Sequence, residues 1–177
     1  MYSYLELLLL QSIQHKYFPL IENPNKGKRQ TSRVIAEIIA YLKLNNHDFT
    51  TKNNKHLILF IKLKSVEAKT FFENKMNINW QTNWEAFYDF LSILRNIITH
   101  HGMLLSQNKR NELKSIAGDI FMHYFEQSLD KTSSEILKPK NEHLFLNFLS
   151  DINDFASNTV KFIAEEENLN FLGFYKA

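Results

Sequence analysis

An all-α fold is predicted by two features of the sequence. Only four glycines and three prolines punctuate 177 residues, and the apolar residues recur mainly at intervals of three and four, the period of a helix face. The length suits one domain with a core that needs no staples. No internal repeat, low-complexity tract or linker divides it, so residues 1–177 read as a single-domain helical bundle of about five to six helices.

The first helix is expected over Tyr2 to Tyr17, ended by a loop from Pro19 to Lys28 that holds Pro24 and Gly27. A second runs from Gln30 to Leu44, with Val34, Ile35, Ile38, Ile39 and Leu42 inward. Asn45 to Asn54 is polar and turn-like. The third covers Lys55 to Asn74, because Val66 to Lys69 continues the pattern without a turn signal. The fourth spans Asn83 to His101, and Gly102 supplies the left-handed position that commonly follows a helix. Leu113 to Gln127 reads as a further helix, although a small β-hairpin between residues 120 and 138 fits the same stretch. After Pro139 a last long helix extends from Asn141 to Glu167, with Phe145, Phe148, Leu149, Ile152, Ala156, Val160 and Ile163 on one side.

With no cysteine, the chain has no disulfide framework, thiolate metal site or cysteine nucleophile. The apolar opening carries Glu6 and Gln11 and lacks the basic start and small-residue cleavage site of a leader. No apolar run approaches the roughly 18 residues of a membrane span. A soluble, cytoplasmic protein is therefore expected. Net charge is +2, too small for the broad basic field of a dedicated nucleic-acid binder. The 15 Phe and seven Tyr fall mostly at helical spacing beside Leu and Ile, which points to core packing rather than base-stacking platforms.

The most specific feature is Arg95-Asn96-Ile97-Ile98-Thr99-His100, followed by His101 and Gly102. With Leu94 at zero on a helical wheel, Phe87, Leu91 and Ile98 cluster near it and form a core-facing sector. Arg95 falls near about 100°, Thr99 near about 140°, Asn96 near about 200° and His100 near about 240°, all in the polar sector. A permanent cation, an amide and a titratable imidazole suit phosphodiester cleavage without a metal. Arg neutralises charge developing on phosphorus, and His moves protons near neutral pH. Asn96 and His100 are four apart and so within reach of each other, and the helix C-terminus favours the imidazolium. Arg95 and His100 differ by about 140° and about 7.5 Å along the axis, which is awkward for one phosphate within one helix. Two copies meeting across a two-fold axis would line a single cleft with both.

Arg95-Asn96-x-x-x-His100, late in a long helix and followed by glycine, resembles the Arg-x(4 to 6)-His signature of the HEPN superfamily in its Arg-Asn-x-x-x-His form. The resemblance covers six residues, with length and helix pattern in agreement. It implies an all-α domain and a dimeric, metal-independent endoribonuclease with no cofactor. Arg95 and His100 would be catalytic, and Asn96 would position His100 or the phosphate. Thr99 and His101 are further supporting candidates beside the motif, His101 being a departure from the family's pattern. The implied chemistry is attack by the ribose 2′-hydroxyl, leaving a cyclic phosphate and a 5′-hydroxyl. Such proteins often act as toxins in toxin–antitoxin pairs or in antiviral abortive infection, sometimes neutralised by a nucleotidyltransferase-like partner.

Lys109, Arg110 and Lys114, just downstream, are candidate RNA contacts, whereas Glu85 and Asp89 on the polar sector work against an RNA cleft. His101 duplicates the histidine, and capping or packing is its simpler role. The other histidines, His15, His47, His56, His123 and His143, are scattered without metal-ligand spacing and read as surface or packed residues. Two other readings stay open: a non-catalytic HEPN-like module that binds a nucleotide, RNA or protein, and an unrelated scaffold whose Arg95 and His100 merely decorate a helix end.

Overall fold

A computed structural model describes residues 2–21, 28–47, 55–76, 82–99, 106–125 and 133–163. Among these the protein is all-α, with no strand or sheet. The eight helices among the described residues are α1 (Tyr2–Tyr17), α2 (Lys28–Leu44), α3 (Lys55–Lys64), α4 (Val66–Glu73), α5 (Trp84–Thr99), α6 (Gln107–Tyr124), α7 (Ser133–Ile136) and α8 (Glu142–Ile163). No helix among them is long and apolar enough to cross a membrane. The chain forms two compact units, one within residues 1–69 and 156–177 and the other within 70–155.

The count exceeds the expected five to six partly because the predicted third helix is two. Ser65 interrupts it by acting as an N-cap. Its Oγ accepts from the Ala68 amide at 3.1 Å and donates to Glu67 Oε2 at 2.9 Å, so a side chain replaces a backbone carbonyl at the start of α4. The backbone bonds from Ser65 to Ile61 and from Lys69 to Ser65 persist, both 3.0 Å, which is why the apolar pattern runs through the break.

Capping also sets other boundaries. Asn83 Oδ1 accepts from Ala86 N at 2.9 Å, and Asn141 Oδ1 from Leu144 N at 2.8 Å, opening α5 and α8. At the end of α2, Asn46 adopts φ 58°. His47 N then bonds Leu42 O at 3.0 Å and Asn46 N bonds Lys43 O at 3.1 Å. This pair is the Schellman closure of a helix C-terminus.

The hairpin alternative for residues 120–138 is not what forms. Helix α6 continues to Tyr124, and Ile120, Phe121 and Tyr124 are buried at helical spacing. Among the described residues, strand-like pairing there is limited to one isolated bridge between Phe125 and Pro139.

In the first unit, α1 packs on α2 and α2 on α3, burying Leu9, Ile13, Val34, Ile38, Leu42, Leu57 and Phe60. In the second, α5 is the central element, packed against α6 and α7. Phe155, which is not among the residues expected on the inward side of the last helix, is fully buried. Its ring lies within 5.7 to 6.5 Å of Phe71, Phe72, Trp84, Phe87 and Tyr88. Phe145, expected inward, is instead 41 % exposed. Residues 164–167, the expected end of that helix, lie outside the described residues.

Candidate functional site

Helix α5 presents the motif in an unexpected setting. Eight consecutive residues, Phe87 to Leu94, are buried, so burial surrounds the helix for about two turns instead of following one stripe. Arg95 is the first exposed residue after them, Asn96 is half-buried, Ile97 is buried and Ile98 is 41 % exposed. Arg95 therefore stands where the helix emerges from the core.

Two expectations change as a result. Ile98, assigned to the core-facing sector, is exposed, because the surrounding helices cover α5 up to Leu94 and only part of its last turn. Asp89, assigned to the polar face, is 6 % exposed and sits with buried Ser92 inside the packing. Its carboxylate is thus withdrawn from the surface that Arg95 shares. Glu85, one turn earlier, is half-buried.

Thr99 is the last residue of α5, and its side chain lies outside the described residues, as do His100 and His101. The next described residue is Ser106, whose carbonyl accepts from Arg110 N at 3.0 Å. A connection this short between two packed helices makes them antiparallel neighbours. The C-terminal turn of α5 and the N-terminal turns of α6 consequently share one end of the pair. Arg110 is half-buried and Lys114 exposed at that end. Lys109 belongs to α6, but its side chain is outside the described residues.

No family model, characterised protein or solved structure matches the chain. The functional reading therefore rests on residues and geometry. Among the described residues no group of three or more His, Asp or Glu is placed to hold a metal ion.

A second group of titratable side chains, which sequence spacing did not reveal, gathers at the far end of α6. The Tyr124 hydroxyl donates to Asp151 Oδ2, and Lys140 Nζ donates to the Met122 carbonyl. The His123 ring meets Tyr124 edge-on at 4.7 Å. Burial raises the Asp151 carboxyl above its usual range, with the charge of Asp154 adding to the effect and the Tyr124 hydroxyl opposing it. Burial and the Lys140 ammonium lower His123, against a smaller upward pull from Asp151. Tyr124 is raised by burial and by Asp151. The group lies some 14 positions along α6 from Arg110, about 20 Å at helical rise, so it is separate from the Arg95 end. Its evident work is to tie α6 to α8 through a buried hydroxyl and a half-buried carboxylate. Glu67 has a similarly local role, held low by hydrogen bonds to backbone and to Ser65 at the start of α4.

Proposed function

We propose that this protein is a metal-independent endoribonuclease that works as a homodimer, with Arg95 and His100 as its catalytic residues. The observation that carries this reading is the exposure of Arg95 at the point where the buried α5 leaves the core. Arg95 is thus exposed on a helix anchored in the core, and Arg110 and Lys114 add positive charge at the same end of the α5–α6 pair. Withdrawal of Asp89 from the surface removes a repulsive charge.

In the proposed reaction one histidine takes the proton of a ribose 2′-hydroxyl, whose oxygen attacks the adjacent phosphorus. The P–O5′ bond breaks, and a second histidine protonates the departing 5′-oxygen. The products are a 2′,3′-cyclic phosphate and a 5′-hydroxyl. Arg95 neutralises the extra charge on the phosphorane, and Asn96, four residues before His100 in the sequence, sets the imidazole's orientation. Helical spacing would set Arg95 and His100 about 140° apart, so in this reading each phosphate is served by both copies of the dimer. The role that fits such an activity is that of a toxin or antiviral effector restrained by an antitoxin or a nucleotidyltransferase-like partner.

The test is incubation of the purified protein with mixed cellular RNA in EDTA, beside Arg95→Ala and His100→Ala. The wild type should generate 5′-hydroxyl and cyclic-phosphate ends, and each variant should lose at least about 100-fold in rate with an unchanged melting midpoint. RNA that is bound but left intact would instead make the protein a non-catalytic binding module. Retained cleavage in both variants would place the active site elsewhere.

A further inference from the structure

In the first unit, three aromatic rings form an open box whose occupant is a cation from the same chain. Phe60 of α3 is fully buried and makes the floor. Tyr17 of α1 stands at 84° to it with centroids 5.4 Å apart, and Tyr41 of α2 stands at 75° with centroids 5.2 Å apart. Both walls are nearly perpendicular to the floor. Phe18 backs Phe60 at 5.8 Å. The ammonium of Lys64, one helical turn after Phe60, lies 3.9 Å from the Tyr41 centroid and 5.6 Å from those of Tyr17 and Phe60.

Two features of this arrangement point to a ligand. Lys64 is exposed while both tyrosines are half-buried, so its side chain enters from the solvent side and the box has an open mouth. The partners recorded for its ammonium among the described residues are ring faces, with no carboxylate. Ring quadrupoles attract a cation but accept its N–H groups poorly, so a primary ammonium loses hydration there. A quaternary ammonium has no N–H to lose, and its methyl groups gain apolar contact with the same rings. The box suits a trimethylammonium group better than the lysine that fills it.

We infer that Tyr17, Tyr41 and Phe60 form a binding site for a quaternary ammonium ligand, with Lys64 as its built-in competitor. A ligand must displace Lys64, and the seated lysine lowers apparent affinity by the fraction of time it occupies the box. Among the described residues, the neighbouring Lys16 ammonium, 5.6 Å from the Tyr17 ring, is the other cation at the box. It approaches one wall rather than spanning all three rings.

Calorimetric titration of the full chain with tetramethylammonium chloride tests the assignment. Binding should saturate, tighten about two- to fivefold in Lys64→Ala as the exposed cation–π competitor is removed, survive Tyr41→Phe, and vanish in Tyr41→Leu. Circular dichroism on each variant separates lost binding from lost folding, and Lys64→Ala, a surface change, keeps the test decisive if Tyr41→Leu unfolds. The uncharged isostere of choline, 3,3-dimethylbutan-1-ol, should fail to bind. Choline and Nε-trimethyl-lysine, titrated in parallel, separate a free headgroup from a modified side chain as the source of the group. Absence of saturable binding in Lys64→Ala, equal affinity in wild type and Lys64→Ala, or equal binding of the alcohol would each overturn the proposal.

Discussion

His56 shows how one buried residue couples the fold to pH. It lies in the first turn of α3 with 3 % exposure, and burial lowers its pKa from 6.5 to about 4. The unfolded chain therefore takes up a proton between those values that the folded chain refuses. Stability from this residue is complete above pH 6.5 and falls as pH drops towards 4. By pH 5 the loss is on the order of 2 kcal/mol. Urea unfolding at pH 7 and pH 5 should show that decline in the wild type, and His56→Gln should flatten much of it. An equal slope in the variant would assign the acid sensitivity to other groups. Spacing alone had placed His56 among the surface or packed histidines, and the structure selects packed.

At the level of elements, short polar residues decide where helices stop. Ser65→Ala removes the cap of α4 and should cost about 1 kcal/mol, read from the urea midpoint. A net gain would mean that α3 and α4 fuse into one helix once the competing hydroxyl is gone. Asn46→Ala places a Cβ in left-handed backbone and should cost about 1–2 kcal/mol. Asn46→Gly should be neutral or stabilising, because glycine adopts the φ of 58° without strain. The ends of α1 and α2 follow closely from the apolar pattern, as Tyr17 and Leu44 show. The α3–α4 break does not, because a serine inside an apolar run is as compatible with a solvent-facing helix position as with a cap.

At the level of the molecule, stability of the second unit should depend on its aromatic core. Phe155→Ala removes a fully buried ring that meets five others and should cost about 3–5 kcal/mol in urea unfolding. Phe145→Ala, on the same helix but exposed, should stay within about 0.5 kcal/mol. A large loss on that variant would show that the exposed ring is covered by a partner in solution. The candidate site was partly legible by the same measure. The exposure of Arg95 agrees with its position on the polar sector, but Asp89 and Ile98 exchange the environments a wheel assigns them. A wheel assumes one buried face, whereas α5 is packed on all sides up to Leu94.

The sequence alone determined the all-α class, the paths of α1, α2 and α5, and the placement of Arg95 and Asn96 near the end of a helix. These depend on local periodicity and on the scarcity of glycine and proline, which act within a few residues along the chain. Only the tertiary structure decided that α5 is enclosed until Arg95, that Asp89 is buried and Phe155 central, and that Tyr17, Tyr41 and Phe60 surround Lys64. Each of these depends on which distant side chains meet, and burial is a property of neighbours brought together by folding.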